Sequence, residues 1–388
     1  ASGRELSAID AVALDIVRLG THQLLGMSTA SHAAVSETVA LTRWAGAPRV
    51  TGFVNAVLRR VSEREESVWT ALLLQGVNDP DERLAIAHAH PVWVVRALRA
   101  SLDRENRGDE LKALLIADNV PPRVTLVALP GLSEPSELGE VSVFAHTAAL
   151  SAPGDPAAHP LVASGRARVQ DEGSQLAALA LSRYRPVVAG ERWLDVCAGP
   201  GGKAALLAAE ARRAGAHLVA NELSPVRAGL VRTALQVVDA TVEVRTGDGR
   251  LIGVTAPGRY DRILVDAPCT GLGALRRRPE ARWRKSDDDV APLAQLQASL
   301  LRSALAALAP GGVLAYVTCS PHVTETTAVV DAVLAEHPDT VRPLDARATL
   351  GTITRTTLDL GDLEHGAAQL WPHRHGTDAM FVQLLTRV

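Results

Sequence analysis

Two short stretches, DAPCTG at residues 266–271 and VTCSPH at 317–322, each set a cysteine just beyond an apolar run. The chain has three cysteines in all, Cys197, Cys269 and Cys319. A cysteine can act as a nucleophile, and a carboxyl group nearby, here Asp266, can hold or move a proton. A third stretch, DVCAGPGGKA at 195–204, offers something different. A turn carrying Gly199, Gly201 and Gly202 ahead of a helical pattern lets a ligand approach the backbone and meet a helix N-terminus. It is not a phosphate-binding P-loop, because no Gly-Lys-Ser or Gly-Lys-Thr stands at the required spacing. Of the 40 basic residues only Lys112, Lys203 and Lys285 are lysines. A lysine directly after the glycine turn therefore departs from a strong arginine bias. A compact ammonium suits a contact to a base or cofactor there better than a guanidinium fork.

These side chains need elements to hold them. From about residue 190 the sequence alternates strands and helices: RWLDVCA, HLVANE, VEVRTGD, DRILVDAPC, GVLAYVTC and AMFVQLL read as strands, with helical stretches such as KAALLAAEARRAG and SPVRAGLVRTALQVV between them. That order specifies βαβ units and a mostly parallel sheet, whose ligands sit beyond the carboxyl ends of the strands. All three cysteines fall at or near such ends. Glu222 ends the second strand, at the distance from the glycine turn where a carboxylate holds a ribose hydroxyl pair. Asp248 ends the third at a matching height, where it can accept from an adenine amino group. Together these ends describe a nucleoside pocket, and on these three strands alone dinucleotide and methyl-donor readings both stand.

Upstream the pattern is helical. ELSAIDAVALDIVRLG places Leu6, Ile9, Ala13 and Ile16 on one face, with Gly20 as a stop, and HAAVSETVALTRWAG and VTGFVNAVLRRVSERE repeat the period, so residues 1–70 are expected to form a helical bundle. Residues 71–165 mix helices around 93–102 and 109–117 with a strand at 123–128 and a Pro/Gly/Ser-rich loop, as a small α+β adaptor would. The chain opens at Ala1 and is helical in pattern by Glu5, as expected of a bundle whose first helices are missing. At 388 residues, two or three domains are expected at roughly 150 residues each.

Composition narrows the function classes. With 47% hydrophobic and 21% charged residues the chain reads as soluble and globular, with no membrane-spanning run and no signal peptide, and a cytoplasmic location is expected. Three cysteines argue for reduced thiols rather than a disulfide framework. A net charge of -3 gives no global sign of a polyanion binder, so any nucleic-acid contact must be local. LRRRPEARWRK at 275–285 supplies such a patch: Arg276, Arg277, Arg278, Arg282, Arg284 and Lys285 to track phosphates, with Trp283 as a stacking platform. His373 and His375 in PHRHGTD lack the partners of a metal site and are expected to shape the floor of the active site; no metal is expected. Cys197 reads as a small buried hydrophobe under the glycine loop.

The paired DAPC and TCS motifs, in order with VQDEGSQLAALAL, DVCAGPGGK, ANELSPVR, GDGR and HGTDAMFVQLL, resemble the RsmB (Sun/Fmu) family of bacterial 16S rRNA cytosine-C5 methyltransferases, related to the eukaryotic NSUN group. RLGTHQLL, HAAVSETV and GFVNAVLRRV resemble the NusB-like RNA-binding domain of that family. Gly199 and Ala204 stand where alanine and threonine are commoner, and neither carries a reacting group. The resemblance implies a Rossmann-like class I methyltransferase domain at 166–388 behind an all-α NusB-like domain and the adaptor. It implies S-adenosylmethionine as cofactor, held by Cys197, Ala198, Gly199, Pro200, Gly201, Gly202, Lys203, Glu222, Arg227, Asp248 and Asp266. It further implies RNA as partner and cytosine 967 of 16S rRNA as target. A monomer is expected.

The implied chemistry gives each cysteine a task. Cytosine C5 becomes nucleophilic when a thiolate adds to C6, and a carboxyl at N3 stabilises that adduct. By resemblance Cys319 attacks, Cys269 assists product release and Asp266 is the carboxyl, with Lys203 beside them. In the DNA cytosine methyltransferases the Pro-Cys cysteine attacks instead, and the sequence leaves that exchange of roles open. The target base must be single-stranded or flipped out. Two other readings stand beside this one: the same chemistry on another RNA such as tRNA, and an RNA-binding assembly factor without turnover.

Overall fold

The computed structural model describes residues 1–27 and 29–388. Its contacts divide the chain into two compact units, Ala1–Ala89 and His90–Val388. Among the described residues no helix is long and apolar enough to cross a membrane.

The first unit is helical, with helices at Ala11–Leu25, Ser31–Trp44, Thr51–Ser62, Glu66–Leu73 and Pro80–Ala87. Ala13, Ile16, Val54 and Leu58 form its buried centre. The first helix starts later than its apolar spacing suggests, because Asp10 caps it by accepting from the Ala13 amide at 3.1 Å. Leu6 is left in a short 3₁₀ turn, 63% exposed. Gly20 does not end the helix either. It lies inside it, and a Cβ there would fall 2.8 Å from atoms of Leu58 and Thr38, so glycine is needed for close helix packing.

The second unit contains two sheets. A small antiparallel sheet takes β1 (Thr125–Ala128), β2 (Glu140–Val141), β3 (Ala148–Leu150) and β4 (Ala167–Val169) in the order β2-β3-β1-β4. The large sheet runs β10 (Val341–Leu344), β12 (Phe381–Arg387), β9 (Leu308–Thr318), β8 (Tyr260–Asp266), β5 (Arg192–Asp195), β6 (His217–Glu222) and β7 (Glu243–Thr246), with β11 (Ala368–Gln369) paired to β12. Strands β5 to β9 are parallel, and β12 returns antiparallel beside β9. The order reverses at β5, which has β6 on one side and β8 on the other. Such a reversal opens a crevice at the carboxyl ends. This is a Rossmann-like α/β domain preceded by an all-α region, as the sequence implies.

Helix Glu172–Ser182, from the VQDEGSQ stretch, joins the two sheets and buries nearly every side chain. Gln175 donates to the Leu126 and Gln170 carbonyls and accepts from Thr147, so its amide is satisfied inside the core. The helix's last carbonyls are satisfied by Arg262 of β8, which is fully buried, donates to Leu181 O and Ser182 O, and pairs with Glu191 at 2.7 Å. Two helices before β1, Val92–Arg104 and Leu111–Ala117, are held from the far end of the chain. Glu105 accepts from Trp371 Nε1 and Arg374, and Glu110 accepts from Arg374 and bonds His373 Nε2 at 2.7 Å. His375 accepts from the Trp371 amide and faces the Asp359 carbonyl. The PHRH segment is thus a clasp on the helices at 92–117 and not an active-site floor: His373 and Arg374 bond Glu105 and Glu110, His375 bonds nearby backbone, and none of the three lines the cavity described below.

Candidate active site

The glycine turn follows β5 directly. Gly199 and Gly201 adopt φ of +56° and +95°, and a Cβ on Gly201 would sit 2.7 Å from the Ala234 methyl group, so the turn closes tightly over helix Pro225–Gln236. At the end of β6, Glu222 accepts from the Gly199 amide at 3.0 Å and from the Ser224 amide at 3.0 Å. Arg227 stands 3.5 Å from the same carboxylate. Asn221, which the motif reading passed over, donates to Val196 O and Gly247 O and so staples the ends of β5, β6 and the loop after β7. Asp248 accepts from the Arg250 amide and guanidinium. These two acids lie on one cavity of about 850 Å³.

The cavity runs from Gly199 and Glu222 past Asp266, Cys269 and Cys319. Cys197 and Pro200 also line it, whereas Ala198, Gly201 and Gly202 lie behind its surface. Burial pushes the Cys197 thiol far up, so it stays protonated, in line with a packing role. Lys203 reaches out from the start of helix Gly202–Ala214 to Asp266 at the end of β8, Nζ to Oδ2 2.8 Å. Burial alone would lower its pKa, but Asp266, Cys319 and Asp195 outweigh this and raise it. Asp195, also missed by sequence, is buried beneath the pair. Burial, and then Asp266, push its carboxyl up to about 8, and its amide-facing oxygen accepts from Cys197 N at 3.3 Å.

The two cysteines, fifty residues apart, meet with Sγ atoms 3.4 Å apart. Their pKa values diverge. Cys319 lies below the ordinary thiol range: the hydrogen bond from Cys269 lowers it, burial and Asp266 oppose, and Lys203 lowers it again. Cys269 is held well above that range by the same bond, by burial, and by the charges of Cys319 and Glu325. Either sulfur can donate across this contact, and the two shifts favour Cys319 as the acceptor and Cys269 as the donor.

The arginine-rich segment divides. Arg278, Arg284 and Lys285 line the cavity, and Trp283 is 64% exposed. Arg276 and Arg282 correct the sequence expectation. Arg276 is buried against Asp171 and Asp378, and Arg282 donates to Asn119 Oδ1 at 2.8 Å and Asp118 O at 3.1 Å. Arg277 borders the cavity but is forked onto Asp378. These three are structural because groups distant in sequence take up their donors, carboxylates for Arg276 and Arg277 and an amide oxygen and a backbone carbonyl for Arg282, which leaves little for phosphates. Asp171 also accepts from the Asp378 amide, so the VQDEGSQ and HGTD stretches together clamp the loop after Cys269.

The chemistry of this donor set fits S-adenosylmethionine: a carboxylate for vicinal hydroxyls, a second for an amino group, and a turn in which side chains are absent where a ligand must approach. Comparison with known proteins agrees. A family model described as 16S rRNA methyltransferase RsmB/F matches residues 185–386, and a NusB family model matches residues 1–63. A protein of Mycobacterium tuberculosis strain H37Rv carrying a methyltransferase name is 46% identical over 395 residues, covering 100% of this chain and 83% of its own. Ribosomal RNA small subunit methyltransferase B of Pseudomonas putida is 34% identical over 362 residues, covering 90% of this chain and 78% of its own. Among solved structures, that of PH0851 superposes with a TM-score of 0.78 at 24% identity, covering 99% of this chain and 84% of that one. NSun6 from Pyrococcus horikoshii with SFG gives 0.57 at 15%, covering 76% and 98%. With that family model spanning more than half of its length, and a relative above 30% identity aligned along most of it, the chain belongs to the RsmB/F family of S-adenosylmethionine-dependent 16S rRNA methyltransferases.

Proposed function

We propose that this methyltransferase acts on C5 of a cytosine in 16S rRNA through a covalent adduct between Cys319 and C6 of the base. The observation that carries the reading is the Cys269–Cys319 contact of 3.4 Å beside the Lys203–Asp266 pair, at the end of the cavity lined by Glu222. A methyltransferase acting on an already nucleophilic atom needs no thiolate, whereas C5 of cytosine does. S-adenosylmethionine supplies the methyl group. Cys319 Sγ adds to C6 and the electron pair moves to C5. Asp266 faces N3 or the exocyclic amine and stabilises the charge that gathers there. After transfer the C5 proton is lost to water, the ring double bond re-forms and the C6–S bond breaks with its electrons returning to Cys319. The Cys269 S–H is placed to donate to that departing thiolate, which gives it the role in release.

We infer also that residues 1–70 dock the RNA, 71–165 form an adaptor and 166–388 carry the chemistry, on the protein as a monomer. Arg278, Arg284 and Lys285, on the rim, track the phosphates around a base presented from a single-stranded segment. The NusB match and the relatives' ribosomal RNA names support 16S rRNA over tRNA as substrate. The test is incubation of the purified protein and its Cys319→Ala and Cys269→Ala variants with naked 16S rRNA and radiolabelled S-adenosylmethionine. 5-Methylcytosine at one position with wild type, none with Cys319→Ala, and an RNA-linked protein band with Cys269→Ala are expected. Full turnover by Cys319→Ala contradicts the assignment.

A further inference from the structure

We propose that Glu325 is a positioning residue that fixes Cys269 against Cys319 through Thr270, and that it thereby controls product release; this rests on the covalent reading above. Glu325 follows the TCS motif in a short 3₁₀ turn and is 0% exposed. Its Oε1 accepts from the Thr270 amide at 2.8 Å and from Gln297 Nε2 at 3.1 Å, and its Oε2 accepts from Thr270 Oγ1 at 2.5 Å. Three donors therefore converge on one buried carboxyl group, two of them from the residue next to Cys269. Gln297 donates as well to Pro268 O at 2.8 Å, so the peptide on the other side of Cys269 is held by the same cluster.

The cluster also reaches the second cysteine. Thr270 Oγ1 and Ser320 Oγ are 3.0 Å apart, which joins the residue after Cys269 to the residue after Cys319. Tyr316 of β9 donates to the Glu325 carbonyl at 2.7 Å and anchors the turn itself. The 3.4 Å sulfur separation is thus set from beneath by hydrogen bonds, and neither cysteine forms them with its own side chain. A buried carboxyl group that accepts two hydrogen bonds from one residue restricts that residue in both position and orientation.

The consequence lies in the second half of the reaction. During attack Cys319 needs only its thiolate. During release the C6–S bond breaks, its electron pair returns to Cys319 Sγ, the C5 proton passes to water, and the Cys269 S–H must lie in line to donate to that sulfur. If Glu325 no longer holds Thr270, the S–H drifts and the adduct persists.

The experiment compares wild type with Glu325→Gln, Thr270→Val and Thr270→Ser, and runs Cys269→Ala in parallel. Pre-steady-state methyl transfer and RNA-linked protein on denaturing gels are both followed. Glu325→Gln and Thr270→Val are expected to give a burst near one methyl group per enzyme, then turnover slowed by about tenfold or more, with adduct accumulating and the RNA KM unchanged. Thr270→Ser, which keeps the hydroxyl, restores turnover to within about threefold. Effects of Glu325→Gln and Thr270→Val that combine non-additively mark one shared unit. Adduct in Cys269→Ala but none in Glu325→Gln and Thr270→Val, or a burst lost in proportion to turnover, overturns the positioning role and leaves the covalent reading intact. No adduct in Cys269→Ala while wild type turns over overturns the covalent reading, and this proposal with it.

Discussion

At the scale of single residues, the proposed mechanism depends on separating the pKa values of two identical side chains. Their shared hydrogen bond is the largest cause of both shifts, lowering Cys319 and raising Cys269; Lys203 lowers Cys319 further, while burial and then the charges of Cys319 and Glu325 raise Cys269 further. Lys203 is the group most exposed to test. Lys203→Ala removes the cation that favours the Cys319 thiolate and leaves Asp266 without its partner at 2.8 Å. We predict a methyl-transfer rate about 100-fold lower at neutral pH. The rising limb of the rate profile should move to higher pH, since a cysteine without that cation ionises later. A profile of unchanged shape would remove Lys203 from the account. The motif residues were legible in sequence because each does its work within a few residues of a strand end. Glu325, Asn221 and Asp195 were not, since what marks them is burial and partners such as Thr270, fifty-five residues away.

At the scale of elements, the strands that carry the site announce themselves. Strands β5, β6, β8 and β9 bury most of their residues and read as apolar runs that end in polar motif residues. Strands β2, β3, β10 and β11 are two to four residues long and too short to set a period, so only the fold reveals them. The arginine-rich segment shows the opposite failure. Six basic residues in eleven look like one surface, but Arg276 and Arg282 face inward because Asp171, Asp378, Asp118 and Asn119 meet them there. Arg282 is the anchor of the short helix Ala281–Arg284, whose last residue, Arg284, borders the cavity with the following Lys285. Arg282→Ala should therefore raise the RNA KM several-fold with little change in kcat, and a double substitution of Arg284 and Lys285 should do the same. Steady-state kinetics over a range of salt checks this, because losing phosphate contacts also flattens the salt dependence. Equal salt slopes in wild type and both variants would contradict a phosphate-tracking rim.

At the scale of the whole molecule, the C-terminal clasp ties the helices at 92–117 to the end of the second unit, and that clasp is sensitive to acid. Burial, with Arg374 beside it, lowers His375 to about 4. Burial pushes Glu110 up, but bonds from Arg374, His373 and Arg107 bring it down to about 2. Above pH 6.5 His375 is neutral in both folded and unfolded chains. Between pH 6.5 and about 4 the unfolded chain takes up a proton that the folded one refuses, so stability falls as the pH falls through that window. For His375 the loss amounts to about 3 kcal/mol by pH 4. Glu110 adds a loss of the same sign between 4.5 and about 2. Because buried acids such as Asp195 act in the opposite sense, the comparison that isolates the clasp is wild type against His375→Gln. Denaturant titrations at pH 7 and pH 4 should show wild type losing stability relative to the variant, and parallel curves would contradict the prediction.

The central claim is that Cys319 bonds to the cytosine ring, and RNA carrying 5-fluorocytosine tests it most directly. Fluorine at C5 cannot leave as a proton, so the methylated adduct has no route to release. Nuclease and protease digestion followed by mass spectrometry then reads which cysteine holds the nucleotide. The account predicts a methylated fluorocytidine on the peptide containing Cys319, in wild type and in Cys269→Ala alike. A nucleotide on the peptide containing Cys269, or methyl transfer with no protein-linked nucleotide at all, would contradict it.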